Sequence, residues 1–161
     1  MNIHRLGMIL AGLVLFPAAG WFSAPYVALS MAPNCKANSV NVFHEAGREV
    51  ITHSHWWFSS GMQGGNGTYS TEIRYKDLSG AETVKNILRS YELKYSLKSS
   101  HWRVETTRVT RLSGEDNHDS DIERYIDPLV KTAFTAPIMM FKLPGNNYML
   151  GINERPRTLC Q

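Results

Sequence analysis

Between Leu6 and Ala32 the chain has no charged residue, 27 positions in a row, although charges are spread through nearly everything after it. A segment so empty of charge is long enough for a membrane helix, which needs about 20 mostly apolar residues. Cysteine is scarce as well. Cys35 and Cys160 are the only two, so any disulfide framework reduces to one bond. Basic runs are missing: of 17 Lys and Arg only Arg5 precedes residue 33, leaving 16 basic against 14 acidic residues in the remainder. That balance argues against a nucleic-acid surface. Catalytic signatures are missing too. There is no nucleophile elbow, and Gly61 to Gly67 lacks the strand-to-helix setting of a phosphate cradle. No enzyme and no cofactor are expected, and no internal repeat or low-complexity tract occurs.

What is present begins with Leu6, Met8, Ile9, Leu10, Leu13, Val14, Leu15 and Phe16, continued by Trp21, Phe22, Tyr26, Val27 and Leu29. Arg5 and the amino terminus form a positive front edge, which places residues 1–5 in the cytoplasm and exports the rest. Residues 1–32 are accordingly expected to be a short tail and a transmembrane anchor. The rival reading is a cleaved signal peptide with Ala18-Ala19-Gly20 as the processing site. Continuation of the apolar run beyond Gly20, with aromatic residues suited to an interfacial belt, favours retention. Pro17 and Pro25 weaken the helix, although membrane helices tolerate proline. Met31-Ala32-Pro33-Asn34 before Cys35 is not a lipidation box.

Residues 33–161 suffice for one domain with its own core. Cys35 and Cys160 flank it, and in an oxidising compartment that placement reads as a disulfide tying its ends together. Five strands are expected between Asn38 and Leu112: Ser39 to Phe43, Glu49 to Ser59, a third around Tyr69 to Lys76, Glu82 to Lys98, and His101 to Leu112. The third is the clearest, with Tyr69, Thr71, Ile73 and Tyr75 facing one way and Ser70, Glu72, Arg74 and Lys76 the other. The fourth fits a helical spacing at its front but alternates Tyr91, Leu93, Tyr95 and Leu97 at its back. Ile122, Tyr125, Ile126, Leu129 and Ala133 then recur at helical spacing behind Ser120 as a cap. Pro128 splits this into a kinked helix or two short ones, the second capped by Asp127 with Pro128 at its first position. Pro137 to Leu143 and Tyr148 to Asn153 read as a hairpin around Pro144-Gly145-Asn146-Asn147. The fold class is mainly β with one helical insertion. Either a curled barrel or a sheet covered by the helix would bury it, and the barrel is preferred. Its interior would hold Tyr69, Ile73, Tyr75, Tyr91, Leu93, Tyr95 and Leu97.

Candidate site residues are few. His53 and His55 share a strand face, but two histidines without further ligands make a poor metal site and read better as polar members of that face beside Trp57. Glu115 to Asp121 superficially resembles a calcium loop but lacks its closing bidentate Glu and internal glycine, and reads as a solvated loop. Trp56, Trp57 and Phe58 are the densest aromatic cluster. Strand alternation sets Trp57 on the face opposite the other two, so one face is core and the other a contact surface or cavity wall. With Tyr75, Tyr91 and Tyr95 they are the candidate partner or ligand contacts.

A short tail, one apolar N-terminal segment, a β-rich exported domain and a terminal cysteine pair together resemble the FidL-like group of enterobacterial inner-membrane proteins, similar in role to ToxS. The points of resemblance are the charge-free Leu6 to Ala32 segment, Cys35, the Arg89 to Leu97 strand and the Pro137 to Asn153 hairpin. What the resemblance implies is a periplasmic accessory subunit that binds and stabilises or modulates a ToxR-like transmembrane transcription regulator. In related pairs the two domains complete a lipocalin-like barrel that takes up bile-salt-like amphiphiles. Residues 1–5 are too few to bind DNA, so any transcriptional effect would pass through the partner. The alternative is a stand-alone exported binding protein with a closed lipocalin-like barrel and its own cavity.

Overall fold

The computed structural model describes residues 3–30, 34–61, 63–98, 101–115, 121–153 and 155–160. Two compact units divide after Ala32. In the first, helix α1 spans Ile3–Ser30, 28 residues, about 42 Å at 1.5 Å per residue. Of the side chains described on it, Leu13, Val14, Leu15, Phe16, Trp21 and Phe22 are all exposed. Among the described residues no helix is long and apolar enough to cross a membrane. The transmembrane anchor expected from sequence is thus matched in helicity, and its apolar length is not matched among the described residues.

In the second unit, alternation sets the architecture. Strands β1 (Cys35–Glu45), β2 (Arg48–Ser60), β3 (Gly64–Asp77), β4 (Glu82–Lys98), β5 (His101–Arg111), β6 (Thr135–Lys142), β7 (Tyr148–Ile152) and β8 (Arg155–Cys160) form one antiparallel sheet in chain order. Each pairs with its sequence neighbour, and the sheet curls into a nearly closed barrel. Val50, Thr52, Ser54 and Trp56 of β2 point inward, as do Tyr69, Thr71 and Ile73 of β3 and Ile87, Arg89, Tyr91, Leu93 and Tyr95 of β4. Of the expected interior, Leu97 is the exception: at the end of β4 it is exposed. Tyr75 is half-buried.

The third strand starts earlier than expected: the second half of the glycine-rich stretch, from Gly64, already belongs to β3. Gly67 stands between Phe58 and Tyr91 in the ladders, and a Cβ there would lie 2.5 Å from the Tyr91 hydroxyl oxygen. At Gly65 it would lie 2.8 Å from the Phe58 ring and 3.1 Å from the Tyr95 hydroxyl. Missing side chains on β3 thus make room for the tyrosines of β4, the close-approach role of strand glycine. Trp56 completes the cluster, its ring centroid 4.5 Å from that of Tyr69 and 5.7 Å, edge to face, from that of Tyr91.

Strands β6 to β8 are short and line only part of the barrel. β6 pairs with β5 only over Trp102 to Glu105. Beyond that point the edge of β5 is met by an irregular segment carrying helix α2 (Ile122–Tyr125) and a 3-10 turn at Pro128–Val130. Thr106 donates its N–H to the Phe134 carbonyl at 2.9 Å and accepts from the Ala133 N–H at 3.1 Å. The split at Pro128 follows the sequence expectation, since the Asp127 side chain accepts the Leu129 N–H at 2.9 Å. Ser120 lies outside the described residues, and Asp121 occupies the cap position of α2 without a side-chain cap bond. Ile122, Tyr125, Ile126 and Val130 are buried, so this segment is the plug of the barrel.

Closure between β1 and β8 rests on the expected disulfide. Cys35 and Cys160 are bonded, with Cα atoms 4.9 Å apart and a sequence separation of 125. Among the described residues β1 pairs only with β2, and β8 only with β7. Strand β8 is absent from the sequence expectation, because Arg155, Pro156 and Arg157 break any apolar alternation. Replacing Cys35 or Cys160 with Ser should lower unfolding stability by about 2–5 kcal/mol, read by denaturant titration against the oxidised wild type, with the reduced wild type falling to the level of the variants. Trp56→Ala should cost about 3–5 kcal/mol, whereas Trp57→Ala, at 41% exposure, should stay within about 0.5 kcal/mol of wild type.

Candidate functional site

The six aromatic candidates do not converge. Trp56, Tyr91 and Tyr95 are core residues and Phe58 is half-buried on the same inward face. Burial raises the hydroxyl pKa of Tyr91 and pushes that of Tyr95 up to about 12, so both stay neutral. Tyr75 lies toward the other end of its strand, its ring edge to face with Tyr125 at 5.7 Å. Trp57 is on the outer surface. His53 and His55 also face outward, in a depression of about 520 Å³ that includes Glu72, Arg74 and Asn86. His55 Nδ1 pairs with the Asn38 amide oxygen at 2.7 Å. No group of three or more metal-ligating side chains forms among the described residues.

What converges instead is the seam left between β1, β8 and the plug. A cleft of about 310 Å³ opens there, walled by Phe43 and Tyr125 and floored by Ser54 and Tyr69. Ser39 and Asn41 reach it as the polar members of an inward β1 face that also carries Ala37 and Phe43. Arg124, Asp127, Lys131 and Arg157 place charges on it. The floor is a hydroxyl chain: Ser54 Oγ donates to Thr71 Oγ1 at 2.9 Å and lies 3.0 Å from the Tyr69 hydroxyl.

Two carboxylates hold the plug across this seam, with opposite electrostatics. Glu45 accepts from the Tyr125 hydroxyl at 2.7 Å and from Arg48 Nε at 2.8 Å. These two bonds keep its pKa below the ordinary carboxylate value. Arg48 also donates to Asp121 at 2.8 Å, which with Glu45 raises the guanidinium pKa further. Asp127, 3.6 Å from Arg157, is pushed the other way. Burial raises its pKa, and the Leu129 N–H, Arg157 and Lys131 only partly offset that.

Under the plug lies a charge that sequence reading missed. Arg89 is 3% exposed, on the same strand face as Tyr91 and Leu93. It donates to Glu123 at 2.6 Å, to Glu115 at 3.1 Å and to the Val130 carbonyl at 3.3 Å. Burial alone would lower its pKa, but the two carboxylates outweigh that and raise it. The expected solvated loop is therefore corrected at its first residue: Glu115 is drawn inside, its side chain 3% exposed, because the buried guanidinium needs a counter-charge. Residues 116–120 of that loop, and with them the calcium-loop comparison, lie outside the described residues.

No protein-family model matches the chain, and no curated protein matches it in sequence. The cleft's charges thus stand on geometry alone, and Asp127 gives the sharpest test of it. Its raised folded pKa means that its contribution is full below the ordinary carboxylate pKa and is lost as pH rises through the raised value. Wild-type stability should therefore fall across that interval. Asp127→Asn, which retains an oxygen for the Leu129 N–H, should flatten this part of the profile in melts taken between about pH 3 and 7.

Proposed function

We propose that the protein is a membrane-anchored periplasmic accessory subunit that binds, and stabilises or modulates, a ToxR-like membrane-spanning transcription regulator at the bacterial inner membrane. The observation that carries this reading is the unfinished edge of the barrel. β1 pairs with a single neighbour among the described residues, and unpaired strand edges are templates for another chain. Beside that edge, on the outer face, Val40, Val42 and Trp57 are exposed. Val40 and Val42 lie together on β1 and Trp57 further along β2 opposite Lys36, exposed apolar side chains beside an open edge that a partner could cover. Helix α1, with large apolar side chains exposed along its described length, supports an anchoring role. Binding rather than catalysis is the activity, and contact with nucleic acid is left to the regulator.

In this reading the domain is the lipocalin-like half of a shared barrel, and an amphiphile such as a bile salt is the signal taken up once the partner is in place. The second reading, a stand-alone exported binding protein, is favoured by the seam cleft, which exists without any partner.

Pull-down of a membrane regulator with the tagged protein separates the two. Wild type should recover the regulator, and Trp57→Ala, still folded, should weaken the complex by about 30-fold if Trp57 is an interface anchor. Full retention by Trp57→Ala, Val40→Asp and Val42→Asp alike, or no regulator recovered with wild type, would leave the stand-alone reading in its place.

A further inference from the structure

Ligand pockets are lined predominantly by apolar side chains with a few placed polar groups. The seam cleft inverts that balance: eight of its thirteen lining residues are polar or charged, and Tyr69 and Tyr125 add two hydroxyls. Its charges do not cancel. Among the lining residues Arg124, Lys131 and Arg157 stand against Asp127; Glu45 and Asp121, outside the lining, lie within 4 Å of Arg124 and leave Lys131 and Arg157 as the surplus, and burial of Asp127 favours its neutral form. The cations also have donors to spare. Arg157 is 3.6 Å from Asp127 and Arg124 is 3.6 Å from Glu45, both beyond hydrogen-bond distance. Lys131 makes no salt bridge among the described residues. Deeper in, the buried Tyr69 and Ser54 hydroxyls, with the exposed Asn41 amide nearer the surface, offer both donors and acceptors, which suits hydroxyl groups rather than hydrocarbon. One wall is aromatic, the edge-to-face pair Phe43 and Tyr125 at 5.3 Å, and a single aromatic ring face can meet the C–H face of a saturated ring.

We infer that the seam cleft binds a small polyhydroxylated carboxylate, the class of the sugar acids, with its carboxylate at Lys131 and Arg157 and its hydroxyls toward Ser54 and Tyr69. Cations at the mouth and hydroxyls at the floor fix that orientation. The site is formed by this chain alone and does not depend on the regulator.

Calorimetric titration of the full-length protein with glucuronate and galacturonate, beside glucose, acetate and decanoate, tests the assignment. At least one hexuronate should saturate with a Kd of about 1 mM or tighter, and about tenfold or more below each of the three controls. Lys131→Ala should weaken that binding about tenfold with an unchanged melting temperature; should it melt early, Arg157→Gln carries the same comparison. Glucose binding as well as the acids would remove the role of the cations. Acetate binding as well would remove that of the hydroxyls, and decanoate binding as well would make the cleft an amphiphile site. Any of these three, or saturation by neither hexuronate, overturns the inference. The pull-down of the regulator is untouched by each of them.

Discussion

A guanidinium sealed inside a barrel cannot go unpaired, and the upper part of this domain is arranged around that demand. Stranding a buried charge by removing one partner costs about 3–5 kcal/mol in comparable proteins, so Arg89 requires Glu115 and Glu123 to be within reach. Those two residues bracket the loop that leads out of β5 and into α2. Bringing them to Arg89 brings the whole segment over the barrel, where Ile122, Ile126 and Val130 become core. The bond from Arg89 to the Val130 carbonyl fixes the far end of the same segment. One buried cation thereby positions a plug that has little regular structure of its own.

The plug solves one edge and leaves another. On the β5 side it continues the sheet's hydrogen bonding through Thr106, with backbone bonds to Ala133 and Phe134. On the β1 side it offers side chains only, through Glu45, Arg48, Tyr125 and Asp121. Partly exposed ion pairs of this kind contribute at most about 1 kcal/mol each, so the β1 side is the softer boundary. The cleft and the free strand edge both lie along it. On the two proposals above, partner and ligand would meet opposite sides of a single strand: the outward Val40 and Val42 for one, the inward Ser39 and Asn41 for the other.

Much of the barrel was legible because alternation is a local property. Tyr69, Thr71 and Ile73 declare their face within five residues, and Asp127-Pro128 announces its turn within two. The terminal disulfide was legible from position alone. Where both parities of a strand are apolar the reading stalls: Ile51 and Trp57 compete with Val50 and Trp56, and only the curvature of the closed sheet decides between them. Strand β8 escaped because pairing with β7, and not its own pattern, makes it a strand. The cleft was illegible for a different reason. Its residues come from β1, β2, β3, the plug and β8, and no stretch of sequence contains more than a fragment of it. Arg89 carried a usable signal, since it shares the parity of Tyr91 and Leu93, but a charge on an apolar face reads as an interruption until its counter-charges are known.

The unbroken chain order of the strands also bears on how the domain acquires its shape. Each hairpin can form with the one before it as soon as both its strands exist, so loop-closure entropy is paid in small steps. Mostly local pairing is the condition for quick assembly of a β domain. One link is not local at all: Cys35 must wait for Cys160, 125 residues later. Within the chain, the first thiol has no partner until the last strand is laid down, so the bond can join the two ends of the sheet only after all the strands between them exist.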